Sequence, residues 1–559
     1  VLKASIVVPI YNAGEYIERC APSLVGQSLG PDAYEVIYVN DGSTDDSAKR
    51  LDELAEKYPH VRVYAQENSG WPGKPRNVGV RMARGEYVQF VDQDDEIAGD
   101  ALERLYDMAV RNDSDIVFGK TRGHMQGPVP IFRHTREKCG VADADLFDTL
   151  TPHKMFRRQF LLDNGIEFPE GRVRLEDQLF LARAYPKAKN VSILGDVPTY
   201  HWRRRDDGGN NSSRPPKPED YYTHVRNVVR AIKENSEPGE VQDRMLRRSY
   251  RVEVLRPVTE PRALQRTGEQ LERYFKIVRD LVLAEFPPGV GAGFPAINAL
   301  RAHLLEQSNL DGLVELARRT KAMKLHVEVG ATSWRRGKLH IPVKAWQLRR
   351  DGKPLALVRR DGKLMLDPEF IDGVPGVTEW EVKDPFLAMR GSVLLRDTER
   401  LVWWFAENDL EPRLEPLDGD RVHVVMESEA VIDPMEAAGG QPLESGRYEI
   451  WLDTQVHGIG RRPRLTLPGR TDRKARVQAA RCNRKLAVGK PRRLVVAHWG
   501  GKDEQLELLV AAPQRIRLGR GIALRLAADD RVRTSVKGMV GKLPSPVRAR
   551  VLPGAGSKR

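Results

Sequence analysis

Residues 35–65 read EVIYVNDGSTDDSAKRLDELAEKYPHVRVYA. Two runs rich in β-branched and aromatic residues, Glu35–Val39 and Arg62–Ala65, flank a stretch in which Ala48, Leu51, Leu54, Ala55 and Tyr58 recur at helical spacing. Ser43 or Thr44 suits the N-cap of that helix, and Asp45 and Asp46 suit the positive end of its dipole. Strand, helix and strand in this order form the unit of a parallel sheet, because parallel neighbours need a crossover connection.

The same alternation extends on both sides. Further strand-like runs occur at Ala4–Pro9, Glu86–Val91 and Asp115–Phe118, with helical patterns between them. The expected fold is α/β, a mainly parallel sheet with helices on both faces. In such sheets ligands bind beyond the carboxyl ends of the strands. After a polar loop at residues 203–218, the stretch 219–325 reads as largely helical. From about residue 326 short alternating strands separated by Gly, Asp and Pro turns replace it. That texture predicts two β-sandwich-like domains, 326–425 and 426–530, followed by a basic tail at 531–559.

Composition bounds the class. The chain has 559 residues, 40% hydrophobic and 30% charged, with a formal charge of +13. It is several domains long, and its basic balance favours a polyanionic partner without choosing among nucleic acid, membrane and acidic polymer. Cys20, Cys139 and Cys482 have no metal-binding spacing and read as reduced thiols. The chain opens on a strand, and no long apolar run occurs. The expected location is therefore cytoplasmic, with any membrane contact peripheral.

The chemistry-bearing motifs sit where the strands end. Pro9 and Tyr11 close the first strand, where an aromatic ring can cover a flat base. Asp41 ends the second and can accept a hydrogen bond from a base or ribose. In AsnSerGlyTrpProGlyLysProArgAsn (68–77), glycines allow close backbone approach and Lys74 and Arg76 can meet phosphate. Asp92, Asp94 and Asp95 follow the Glu86–Val91 strand. Such crowded carboxylates suit a hard divalent cation, and Asp92 and Asp94 share one side if the strand continues. Glu176 and Asp177 open a helical pattern, and His201 precedes three arginines. Each motif alone also fits a capping turn, a solvated loop or a structural histidine.

Taken together, VVPIYN, VNDGSTD, the Arg76–Asn77 segment, Asp92-Gln93-Asp94 and Glu176-Asp177 resemble the family 2 nucleotide-sugar glycosyltransferases across residues 3–215. ThrProHisLysMetPheArg (151–157), the segment 174–185 and the β-rich C-terminal half resemble more narrowly the wall-teichoic-acid glycosyltransferases of the TarS/TarP type. The resemblance implies a GT-A (Rossmann-like) catalytic domain over residues 1–218, a helical region at 219–325 completing or linking it, and C-terminal all-β domains. It implies that Pro9, Tyr11, Asp41, Asn68 and Arg76 hold uridine and its phosphate, and that Asp92 meets the ribose or donor sugar. Asp94 would ligate Mn²⁺ or Mg²⁺ with a contribution from His201. Arg203 is the donor contact taken from the three consecutive arginines 203–205, which the sequence does not separate. Asp177 would be the general base, oriented by Glu176.

The implied reaction is inverting transfer of a sugar, N-acetylglucosamine on the narrower resemblance, from a UDP-sugar to an anionic cell-wall polymer such as teichoic acid. The implied assembly is a homotrimer through the β domains, and nucleic acid is not among the implied partners. Alternatives are transfer to a capsular polysaccharide or glycolipid, or a non-enzymatic carbohydrate-binding or oligomerisation protein with an inactive transferase domain. A nucleotidyltransferase is disfavoured because the loop after the first strand has a single glycine, Gly14.

Overall fold

The computed structural model describes residues 2–124, 127–206, 216–467, 484–488, 493–500 and 503–511. The central part of the 203–218 loop, Cys482 and the basic tail lie outside these residues.

The N-terminal sheet is built from β1 (Leu2–Ile10), β2 (Tyr34–Asp41), β3 (Val61–Gln66), β4 (Gly85–Phe90), β5 (Glu96–Ile97), β6 (Ile116–Gly123), β7 (Arg136–Cys139), β8 (Met155–Arg157) and β9 (Val191–Trp202). Its order is β3-β2-β1-β4-β8-β6-β9-β5, with β7 on β9. The half that includes residues 35–65 is parallel, β3-β2-β1-β4. The other half is mixed. β8 runs antiparallel to both β4 and β6, whereas β6 and β9 are parallel.

Helices α1 (Tyr16–Val25), α2 (Ser47–Lys57), α3 (Gly73–Met82), α4 (Ala101–Asn112), α5 (Arg158–Asp163) and α6 (Glu176–Lys187) cover the sheet. Alternation along β1 explains the two layers. Ile6, Val8 and Ile10 join one apolar cluster with Leu102 and Leu105 of α4. Val7 joins the other with Val80 of α3 and Phe180 of α6. Burial on both faces makes this strand a continuous apolar run. Gly79 lets α3 approach β1, since a Cβ there would lie 2.2 Å from a Val7 methyl.

The next segment is helical, as expected: α7 (Pro218–Glu234), α8 (Glu240–Ser249), a π-helical turn Tyr250–Leu255, then α9 (Gly268–Glu285), α10 (Pro288–Ala292), α11 (Ala296–Glu306) and α12 (Leu310–Ala322). Val225, Val229 and Tyr250 belong to the same apolar cluster as Phe180, so this region extends the core of the N-terminal sheet domain.

The remaining strands are β10 (Lys324–Val329), β11 (Ser333–Arg335), β12 (Lys338–Leu348), β13 (Ala356–Arg360), β14 (Lys363–Leu366), β15 (Arg390–Asp397), β16 (Val402–Phe405), β17 (Glu411–Pro416), β18 (Arg421–Ile432), β19 (Gly446–Val456), β20 (Ile459–Arg461), β21 (Arg484–Val488), β22 (Arg493–Gly500) and β23 (Gln505–Ala511). They form two sheets, β10-β12-β18-β13-β14 with β11 and β17 attached, and β16-β15-β19-β23-β22-β21 with β20 attached.

This arrangement corrects the expected cut between residues 425 and 426, which falls inside β18, a central strand of the first sheet. The chain enters the second sheet at β15 and β16, returns to the first for β17 and β18, and leaves again at β19. The sheets share packing: a Cβ on Gly391 of β15 would meet Leu410 and Met426. The β15–β16 connection also docks on the N-terminal sheet. Gly123 N–H donates to Leu401 O at 3.0 Å, and Lys120 Nζ donates to Trp403 O and lies 4.1 Å from the Trp404 ring centroid. Trp404 is thus an interface residue between the N-terminal sheet and the β-rich region.

Candidate active site

The site begins at the carboxyl ends of β1, β2 and β4. Asp41, the last residue of β2, is buried. Its carboxylate accepts from Gln66 Nε2 (2.6 Å), Ser69 N (3.0 Å) and Ser69 Oγ (2.8 Å), while its carbonyl accepts from Asn68 Nδ2 (2.9 Å). One carboxylate therefore orders the loop that carries Asn68. Gly42 makes this approach possible: its φ is +68°, and a Cβ would lie 2.6 Å from Asn68 N. Pro9 is buried in β1 opposite Val39, whereas the Tyr11 side chain is 47% exposed. Gln93 grips the Tyr11 backbone from the acidic turn, accepting from its N–H and donating to its carbonyl.

That turn departs from a simple strand continuation. β4 stops at Phe90, and Asp95 N–H donates to Asp92 O at 3.1 Å. The bend groups Asp92 with Asp95 and His153, whose ligand atoms all lie within 4.8 Å of one another; Asp94 sits partly exposed on the bend. His201 is not in that group. It lies opposite Glu96 in the β5–β9 pair, with its Nδ1 3.5 Å from Glu96 Oε2. Its two buried ring nitrogens have no hydrogen-bond partner. Burial, then Arg122 and Arg203, push its pKa down to about 4 against the pull of Glu96, so the ring is neutral. The Arg203 side chain is held by Glu96 at 2.9 and 3.0 Å, and its backbone N–H donates to Asp95.

Arg76, 4% exposed in α3, spans two carboxylates instead of lining the open cleft. It reaches Asp92 at 2.7 Å and Glu176 at 3.3 Å, and its guanidinium lies 5.2 Å from the Phe168 ring centroid. Burial alone would lower the Arg76 pKa, but Asp92 and Glu176 outweigh it and raise it. Burial would likewise raise Asp92, but Arg76 and His153 hold that carboxyl far below the usual range. Asp95 shows the opposite outcome: burial and the charges of Asp92 and Asp94 push it well up.

Glu176 and Asp177 open α6 after Leu175, whose left-handed φ of +61° turns the chain into the helix. Asp177 lines a cleft of about 250 Å³ with Thr121, Thr149, Thr151, Trp202 and Arg248. Burial and then Glu176 push its carboxyl up to about 7, against the opposing effects of Gln178 N–H, Arg76 and Arg248. Behind the wall, buried Lys154 donates to Thr149 Oγ1 and Thr151 O, and burial lowers its pKa to about 7. The helical region supplies the far side. Arg248 donates to Gln178 Oε1 at 3.0 Å, and Arg251 pairs with Asp148 at 3.0 Å. His153, Trp202 and Arg248 were not among the residues expected from the motifs. His153 lay within the 151–157 segment, the one signal that pointed to it.

Polar residues at the strand ends, an acidic turn and a carboxyl raised to about 7 are the features the sequence led us to expect of a GT-A site. Residues 5–177 match the family described as "Glycosyl transferase family 2". Residues 218–317 match the "Glycosyl transferase TarS linker domain". Among individual proteins, the chain is similar to the poly(ribitol-phosphate) beta-glucosyltransferase of Bacillus spizizenii, 34% identical over 330 residues, which are 58% of this chain and 51% of that protein. It is also similar to the poly(ribitol-phosphate) beta-N-acetylglucosaminyltransferase TarS of Staphylococcus aureus, 34% identical over 230 residues, 41% of this chain and 40% of that protein. The crystal structure of S. aureus TarS 1–349 in complex with UDP-GlcNAc matches with a TM-score of 0.53 and 28% identity, covering 68% of this chain and 100% of that one. The chain spans about half the length, or less, of these two curated relatives.

Proposed function

We propose that this protein is an inverting glycosyltransferase that moves a sugar, N-acetylglucosamine first among candidates, from a UDP-sugar to a hydroxyl of an anionic polyol-phosphate polymer of the cell wall. The observation that carries the reading is Asp177. It is a carboxyl with a pKa near neutrality in a cleft walled by arginine, tied through Glu176, Arg76 and Asp92 to the strand ends where a nucleotide would sit. The relatives named for poly(ribitol phosphate) support the acceptor class.

In this reading Tyr11, Asp41 and Asn68 hold the uridine. Asp177 takes the proton of the attacking hydroxyl, and one displacement inverts the anomeric centre. Arg76 keeps Asp92 ionised and Glu176 in place. Asp94 on the bend and His201, whose neutral ring has two buried nitrogens outside any hydrogen bond, would hold Mn²⁺ or Mg²⁺. Such an ion supplies charge stabilisation to the diphosphate leaving group. Arg248 and Arg251, with Arg244 and Arg247 lining the adjoining cavity of about 340 Å³, give the polymer's phosphates a basic wall. On the resemblance, the β-sheets assemble a homotrimer. The enzyme works in the cytoplasm, with membrane contact at most peripheral; no helix among the described residues is long and apolar enough to cross a membrane.

The test is UDP release from a panel of UDP-sugars with Mn²⁺, with and without poly(ribitol phosphate) and chelator. Chelator-sensitive release from one sugar, stimulated by the polymer, is expected. Asp94→Ala should lower it by about 10²-fold, as for loss of one electrostatic stabiliser. No release from any UDP-sugar with polymer present would sink the reading. Calorimetry gives a second check. Asp41→Ala removes the carboxylate that orders the Asn68 loop, and UDP binding should weaken by about tenfold or more.

A further inference from the structure

Trp202 ends β9 and lines the Asp177 cleft, yet its polar atom is engaged elsewhere. The indole Nε1–H donates to His153 Nδ1 at 2.7 Å. An indole nitrogen can only donate, so Nδ1 must accept and the imidazole proton resides on Nε2. That proton is donated to Asp92 Oδ2 at 2.9 Å. The His153 ring is 7% exposed and stacks on Tyr200, 4.1 Å between centroids and 7° from parallel, which fixes its plane. Neither nitrogen keeps a lone pair for a cation. The other Asp92 oxygen is held by Arg76, whose second arm holds Glu176 beside Asp177. A line of contacts therefore runs from the cleft through Trp202, His153, Asp92, Arg76 and Glu176 back to the cleft.

We propose that His153 and Trp202 are positioning residues for the transfer: Trp202 locks the imidazole tautomer, and His153 fixes the plane of Asp92 against the donor. A carboxylate tethered at one oxygen can still rotate about its Cβ–Cγ bond, and the second tether removes that freedom. Preorganisation of this kind acts on the reaction through a residue that does not itself touch the substrate. The inference rests on the glycosyltransferase reading.

The test uses the full chain as wild type, His153→Ala, His153→Gln and Trp202→Phe, with kcat and KM measured separately for donor and acceptor. The tautomer is read from the imidazole ¹⁵N spectrum, in which the His153 signal is the one absent from His153→Ala or, if that variant does not fold, from His153→Gln. Glutamine returns an N–H near the position of Nε2. His153→Ala should lower donor kcat/KM by about 100-fold with acceptor KM within about twofold, as for a lost hydrogen bond to a charged group. His153→Gln should recover about tenfold of that, and Trp202→Phe should lower donor kcat/KM by about tenfold. Wild type should show the neutral Nε2–H tautomer, and Trp202→Phe a mixture.

A folded His153→Ala that keeps donor kcat/KM, a glutamine variant that recovers nothing, or an Nδ1–H tautomer overturns the proposal. If His153→Ala does not fold, the other two variants decide it: equal losses in donor and acceptor parameters overturn it. If wild type releases no UDP, the functional reading falls instead, while the spectrum still decides the tautomer lock.

Discussion

Asp177→Asn lowers turnover by about 10³-fold, within the range for loss of a general base, while UDP binding is little changed. The asparagine keeps the size of the side chain but cannot take the hydroxyl proton. The wild-type pH profile follows from the same carboxyl. Its pKa is raised from the ordinary 3.8 to about 7 by burial and Glu176. The base acts only when ionised, so kcat/KM rises tenfold per pH unit on the acid side and levels above about pH 7. Initial rates of UDP release across pH 5–9 check this, and a flat profile would remove Asp177 from the role of base.

Stability runs the other way. A carboxyl whose pKa is raised on folding contributes stability that is complete below its unfolded pKa and lost as pH rises through about 7. Asp177→Asn should therefore be more stable than wild type at pH 8, and the gain should vanish near pH 4. A higher melting temperature in a dead enzyme would locate the cost of the base in the native state.

Arg76→Ala has the second-largest effect, and it acts on both fold and chemistry. Asp92 and Glu176 lose their shared buried cation, leaving uncompensated charge. Breaking such a pair costs about 3–5 kcal/mol, read as a shift in the denaturation midpoint. Arg76→Lys should recover little, because an ammonium cannot present two separated N–H groups to two carboxylates. Residual activity should have its acid limb moved to higher pH, because Arg76 is one of the groups holding the Asp177 pKa down. An Arg76→Ala protein with wild-type stability and an unmoved pH limb would contradict this account.

Much of the parallel half-sheet was legible in residues 35–65, since period-two strands, a helix of period 3.6 and its capping residues are properties of near neighbours. Asp41 at a strand end and Glu176–Asp177 at a helix start were legible for the same reason. His153 was not assigned a role because its partner, Asp92, is 61 residues away and its tautomer is set by Trp202, 49 residues beyond it. Likewise, the grouping of Asp92 with Asp95 depends on a bend that a repeating pattern does not encode.

The β-rich half makes the same division at larger scale. Its turns and alternation predicted strands, but β19 pairs with β15 on one side and β23 on the other, and β18 returns to the first sheet between them. Alternation states which face of a strand is apolar and leaves its partner open. The sequence by itself determined the local elements and the chemical groups at their ends. The tertiary structure alone decided which strands meet, which buried groups share a proton, and how far burial moves Asp177, because pairing and desolvation depend on chain brought together from a distance.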